Sequence, residues 1–205
     1  MTEAAPAVSA RHLGVRYARG AEAALTGVDL TLPRGGGLLV TGPPGSGKTS
    51  LLRAVLGLVP ADGELSVLGG APGDPAVARR IGYAPEGRPV EPRLSAREIV
   101  VLVARARGAA PGEADAALGA VGFLDPSRPS GRLDPEEMRR LTLACARLGA
   151  PDLLVLDDPW EMPETVETIE EARERGAAVL VACGEPGVLA GLADGTLALS
   201  GGRPA

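Results

Sequence analysis

Aromatic side chains are nearly absent, amounting to 2% of the chain: two Tyr, one Phe and one Trp. A core of ordinary size must therefore be assembled from Leu, Val and Ala. Lysine is scarcer still, since Lys48 is the only one among 21 basic residues. Basic residues form no block and the net charge is -5, which argues against a nucleic-acid partner, whose phosphates call for clustered Lys and Arg. The two cysteines, Cys145 and Cys183, stand apart in apolar segments without CxxC spacing and are expected as buried, reduced thiols. The single His12 falls on a first strand as a surface residue.

Long apolar runs are missing too. Runs such as Leu38 to Val40 and Ile99 to Ala104 fall far short of the roughly 18 residues that span a bilayer. Met1 to Ala10 has no apolar h-region of a secretory signal. These absences predict a cytoplasmic protein that reaches a membrane only through a partner. A length of 205 residues, 45% hydrophobic and 23% charged, suits one globular domain.

Ser9 to Tyr17 and Leu25 to Leu32 alternate apolar and polar residues and read as antiparallel strands. Short apolar strands follow at Leu38 to Thr41, Gly63 to Leu68 and Ile81 to Ala84, with helical spacing over Lys48 to Leu58. Composition shifts after Pro85. Helices are expected over Ser95 to Arg107, Ala114 to Val121 and Pro135 to Leu148, with breaks at Gly108 to Gly112 and Pro126 to Gly131. Strand and helix then alternate: Leu153 to Leu156, Glu164 to Arg175, Ala178 to Ala182, Val188 to Ala193, Thr196 to Leu199. That alternation predicts an α/β fold with a mostly parallel sheet covered on both faces.

Gly42, Pro43, Pro44, Gly45, Ser46, Gly47, Lys48 and Thr49 fit G-x-x-x-x-G-K-[ST] at every fixed position. The motif lies between an apolar strand and a helix, where a phosphate loop works. Glycines let backbone N–H groups converge on phosphates, and the following helix adds its dipole. Lys48 would reach the β- and γ-phosphates, and Thr49, followed by Ser50, would bring a hydroxyl to Mg²⁺. That the one Lys survives here, where Arg is used everywhere else, points to a need for a compact charge on a flexible stem. Downstream, the apolar strand Leu153 to Leu156 ends in Asp157, placed to hold Mg²⁺ directly or through water.

Taken in order, these features resemble the ATP-binding cassette of ABC transporters along nearly the whole chain. They are the antiparallel start ending in Tyr17, the phosphate loop, Ile81-Gly-Tyr-Ala-Pro-Glu86, and the closing Asp157-Asp158-Pro159. The resemblance implies a P-loop NTPase core in residues 1–85 and 151–205, carrying the antiparallel strands, and a small helical lobe in 86–150. It implies ATP and Mg²⁺ as cofactors, Tyr17 stacked on adenine, and Glu86 as a metal ligand where Gln is usual. Leu94 to Glu98 resembles the following segment of exporter-type members. Implied partners are a transmembrane permease subunit and a second cassette, either itself or a paralogue.

Four departures bear on activity. The family's signature, Leu-Ser-Gly-Gly-Gln, aligns with Leu133-Asp134-Pro135-Glu136-Glu137. This is a sound helix start, with Asp134 as N-cap, Pro135 first and Glu137 returning at the third position. Its three carboxylates would repel a γ-phosphate, at about 1–4 kcal/mol for like charges roughly 4 Å apart. The catalytic Glu is Asp158, one methylene shorter, and 1 Å of misplacement can cost about 100-fold. Gly184 stands where a switch His is usual. Trp160-Glu161-Met162-Pro163 replaces the family's D-loop, with Trp160 either packed or at a dimer interface.

The expectation is therefore a cassette that binds Mg-ATP through Tyr17, residues 42–50 and Asp157 but hydrolyses it slowly or not at all, in a transporter of exporter type. Asp158 and Glu86 are its catalytic candidates. Alternatives are an active transport ATPase using Asp158, an ATP-sensing interaction protein, and a small-molecule kinase or AAA-type ATPase. For a kinase lid, Arg132, Arg139 and Arg140 come nearest.

Overall fold

The computed structural model describes residues 5–18, 20–87, 91–110 and 112–205. Strands β1 (Val8–Val15) and β2 (Leu25–Leu32) pair antiparallel, and β3 (Gly37–Thr41) then runs into the phosphate loop and helix α1 (Lys48–Val55). Strand β4 (Ala61–Val67), a short helix α2 (Pro75–Ala78) and β5 (Ile81–Ala84) follow. Three helices come next: α3 (Ala96–Arg107), α4 (Glu113–Ala120) and α5 (Pro135–Arg147). The chain closes with β6 (Leu153–Asp157), α6 (Pro163–Glu174), β7 (Ala178–Cys183), a 3₁₀ helix (Gly187–Leu192), β8 (Gly195–Ser200) and β9 (Arg203–Pro204).

Two sheets result. One has the order β2-β1-β4 and is antiparallel; the other has the order β5-β6-β7-β3-β8-β9, parallel from β5 to β8 with β9 antiparallel at its edge. The apolar runs of the central strands feed both faces of the larger sheet, because successive strand residues point to opposite sides. Leu39, Leu154, Leu156, Val179 and Val181 join a core with α3, α4, α5 and α6. Their neighbours Val40, Leu153, Val155, Ala178, Leu180 and Ala182 join a second core with α1 and the antiparallel sheet. The largest fully buried side chains are all Leu, and the sole Phe123 is buried beside α4. Aliphatic packing thus replaces the missing aromatics, at about 1.5–3 kcal/mol for each buried side chain.

Local chemistry sets the helix ends. Ser95 caps α3 in a reciprocal capping box with Glu98, and left-handed Gly108 ends that helix. The Gly108–Gly112 break includes Pro111, which lies outside the described residues. Four expectations need correction. Helix α1 stops at Val55, because the chain turns at left-handed Gly57, leaving Leu58 exposed. The segment near Val188 is a 3₁₀ helix rather than an α-helix; six residues carrying Gly187 and Gly191 cannot sustain a longer one. Helix α2 was missed, although Asp74 caps it and Pro75 opens it. Tyr17 lies two residues beyond β1 rather than at its end.

Candidate functional site

The ends of β3, β6 and β7 meet at one edge of the larger sheet. Thr41 on β3 pairs with Cys183 on β7, and Asp157 on β6 pairs with Ala182. Their outgoing loops therefore emerge side by side, at the carboxyl ends of parallel strands where open α/β sheets bind ligands.

The loop leaving β3 wraps the start of α1. Gly47, its N-cap, has φ 101°, and a Cβ there would lie 2.6 Å from Leu25 Cδ2 and 2.7 Å from the Ala24 carbonyl. No side chain caps this helix and its first turn holds no carboxylate. Its free N–H groups and dipole face a cavity of about 160 Å³ lined by Ala24 and Gly45 to Ser50. Lys48 Nζ donates to the Gly42 carbonyl at 2.6 Å and the Pro43 carbonyl at 3.2 Å. Ser46 Oγ is buried without a hydrogen-bond partner among the described residues. A phosphate in the cavity would accept from such donors, so the loop fits the group the sequence implies.

Thr49 Oγ1 donates to Asp157 Oδ1 at 3.1 Å, joining the first turn of α1 to the end of β6. Burial raises the Asp157 carboxyl above the usual range; the Thr49 hydrogen bond opposes this, and the nearby charges of Glu86 and Asp158 add to it. A buried, repelled carboxylate beside a hydroxyl suits a divalent cation. Among the described residues no three His, Cys, Asp or Glu are grouped so as to hold a metal ion.

Tyr17 is half-exposed and its hydroxyl lies 3.1 Å from Ser50 Oγ, with Arg53 Nη1 donating to it at 3.4 Å. The ring therefore stands over the second turn of α1, beside the phosphate cavity. Glu86 is exposed and acts on Asp157 through its charge. Tyr83, not singled out from the sequence, lies against the same carboxylate. Burial, and then Asp157, push its hydroxyl up to about 12. The signal available for it was its place three residues before Glu86.

Asp158 follows with φ 48°, a left-handed conformation uncommon outside glycine, and its N–H donates to the Ala182 carbonyl at 2.7 Å. Gly184 is exposed just past β7. His12 is on the far sheet and exposed, as expected.

At the α5 N-terminus the three carboxylates are held by partners within the chain. Asp134 Oδ1 accepts the Glu137 N–H at 2.9 Å, and Glu137 Oε2 accepts the Asp134 N–H at 3.0 Å. Glu137 Oε1 also accepts from Arg128, and Glu136 is paired with Arg140 at 2.8 Å. Arg140 bridges on to Glu164 of α6 at 3.2 Å. Each carboxylate thus has an internal partner. The helix end is filled rather than bare: the Glu137 N–H donates a charge-assisted hydrogen bond to the chain's own Asp134, and that donor is one another anion could use.

A groove runs between β5, α3 and α5, lined by Ile81, Tyr83, Ile99, Val103, Arg107 and Cys145, with a volume of about 270 Å³. Arg107 Nη1 donates to the Cys145 and Ala146 carbonyls at 3.3 and 3.1 Å, while its buried Nη2 has no partner among the described residues. Burial lowers the pKa of this guanidinium and pushes the Cys145 thiol up to about 12. Both cysteines are free.

Residues 25–161 match the protein family described as ABC transporter. The chain is 34% identical over 205 residues to the zinc import ATP-binding protein ZnuC of Cereibacter sphaeroides, across 94% of this chain and 79% of that protein. It is 37% identical over 152 residues to the cytochrome c biogenesis ATP-binding export protein CcmA of Cupriavidus necator, across 71% and 67%. Among solved structures, the fold is shared with an ATP-binding subunit of an ABC transporter (TM-score 0.84, 22% identity, 96% of this chain and 87% of that one). It is also shared with the ATP-binding cassette MJ0796 in a dimeric post-hydrolysis state bound to ADP and Pi (TM-score 0.84, 22% identity, 96% of both chains).

Proposed function

Because the chain belongs to the ABC transporter family, we propose that it is the ATP-binding subunit of a membrane transporter and that it holds Mg-ATP while hydrolysing it slowly or not at all. In this reading residues 1–85 and 151–205 form the nucleotide-binding core and 86–150 the helical lobe. The loop Gly42 to Thr49 binds the phosphates, with Lys48 Nζ moving from the loop carbonyls to phosphate oxygens. Ser50 holds the Tyr17 ring beside them, where it can stack on the adenine. Thr49 and Asp157 would hold Mg²⁺, with Glu86 at the edge of the site. When bound there, the ion would supply positive charge against the phosphates.

The observation that carries the reading is the filled N-terminus of α5. In a two-cassette assembly that helix end is offered to the other chain's nucleotide. Here Asp134 accepts the Glu137 N–H and Glu137 accepts the Asp134 N–H, with Arg128 on Glu137 and Arg140 on Glu136. Asp158 weakens the chain's own site independently, being short of the attacking water that a longer base would reach. A second cassette, whether itself or a paralogue, therefore completes neither composite site fully.

No helix among the described residues is long and apolar enough to cross a membrane, so membrane attachment falls to a permease subunit and the chain works from the cytoplasmic face. The groove at Ile81, Val103 and Arg107 supports that contact, because it is lined mainly by apolar side chains. Export is the direction we assign, on the segment Leu94 to Glu98; similar chains are named for import as well as export.

Phosphate release under saturating Mg-ATP, with bound nucleotide quantified in the same sample, tests the proposal. Stoichiometric binding with negligible turnover is expected. Turnover abolished by Asp158→Asn would show instead an active ATPase, and an absence of binding would overturn the reading altogether.

A further inference from the structure

The loop that leaves β6 is fastened at two points. Trp160, 42% exposed, lies under the Arg139 guanidinium of α5, with Cζ 5.6 Å from the ring centroid. Glu161 reaches the opposite way, and its Oε1 accepts the Val188 N–H at 3.0 Å. Gly187 leaves the room for this contact. At φ 43° it presents a bare face, and a Cβ there would lie 1.7 Å from Glu161 Oε1 and 2.5 Å from Oε2.

The place being held matters because of strand register. With Thr41 opposite Cys183, residues 184–186 emerge beside Gly42 to Pro44, which open the phosphate loop. Gly184 has no side chain with which to anchor itself. Among the described residues, Glu161 makes the only side-chain hydrogen bond to residues 184–191. Burial raises the Cys183 thiol, and the charges of Asp158, Lys48 and Glu161 act on it as well. The Glu161 carboxylate is therefore within electrostatic reach of the strand end that Lys48 faces.

We infer that Glu161 is a positioning residue of the nucleotide site: through Val188 it holds the turn after β7 against the mouth of the phosphate loop, and nucleotide affinity depends on that hold. This rests on the reading that the chain binds Mg-ATP. The hold needs an acceptor but not a charge. Glutamine keeps the acceptor and removes the charge; alanine removes both.

The test is Mg-ATP titration of the full chain with residue-resolved amide exchange at Val188. Glu161→Gln should bind at least as tightly as the parent, with Val188 protected. Glu161→Ala should bind roughly three- to tenfold more weakly, the range one ordinary hydrogen bond is worth, and expose Val188. Gly187→Ala, which evicts the carboxylate without altering it, should behave like Glu161→Ala. Parental affinity in Glu161→Ala, or equal weakening in Glu161→Gln, would refute the inference. A parent chain that binds no Mg-ATP would instead sink the reading beneath it, and that result appears before any variant is compared.

Discussion

Replacing Asp158 by Gly, Asn and Ala separates backbone strain from charge at the edge of the nucleotide site. The residue sits at φ 48°, held there by its N–H bond of 2.7 Å to Ala182. For an ordinary L-residue the left-handed region costs about 1–2 kcal/mol, and Asp and Asn tolerate it better than most. Glycine enters it without penalty. The Asp158 charge also bears on buried Asp157 and raises its carboxyl, so every neutral replacement relieves some repulsion. Asp158→Gly should therefore stabilise the apo protein by about 1 kcal/mol, or roughly 2–4 °C in Tm for a chain of this size. Asp158→Asn should gain a few tenths of a kcal/mol from charge relief alone. Asp158→Ala should fall about 1–2 kcal/mol below the glycine variant. Urea unfolding at equilibrium, with calorimetry alongside, gives the order. Ala equal to Gly would refute the argument, because it would mean that the backbone at this position is not strained. Phosphate release should stay negligible in the parent and in all three variants alike.

Asp157→Asn should raise apo stability at neutral pH while weakening Mg-dependent nucleotide binding by tenfold or more, about 1.4 kcal/mol. Burial raises the folded-state pKa of Asp157, so its contribution is fully present below the unfolded carboxylate range and is lost as pH rises through the folded value. The Tm advantage of the variant should accordingly widen as pH rises from the unfolded carboxylate range through the raised folded value; a constant gap would refute the burial argument. Asp134→Ala should cost about 1 kcal/mol through the lost cap, while Asp134→Ser keeps most of it, as read by thermal unfolding. Val103→Glu should place a charge in the groove between α3 and α5 and abolish co-purification with the permease, leaving Mg-ATP affinity in the isolated chain unchanged.

Local chemistry was legible in the sequence where one strand or one turn decides the outcome. The apolar runs at 38–41, 153–156 and 178–182 became β3, β6 and β7 within a residue or two, because a strand buried on both faces has no other composition. Phosphate-loop spacing and the Asp134 cap were legible for the same reason. Contacts between distant segments were not. Glu136 with Arg140 is an ordinary four-residue helical pair, but Arg128 with Glu137 depends on how the loop before α5 folds back. Reading charges without that fold gave three carboxylates but not the Arg128 partner that one of them has. The bond from Glu161 to Val188 spans 27 residues and is invisible to any period or motif. Tyr83 turned toward Asp157 because β5 lies beside β6, a pairing that strand patterns do not specify.

Lys48 also gives the molecule a chemical address. Its amine, resting on the carbonyls of Gly42 and Pro43, is the sole side-chain primary amine in the chain. Acylating and reductive-alkylating reagents, which usually scatter over a protein surface, therefore have one side-chain target, and it lies inside the phosphate loop. A covalent mark at Lys48, located by peptide mass, would measure how much of a preparation has that loop covered, without a coupled assay.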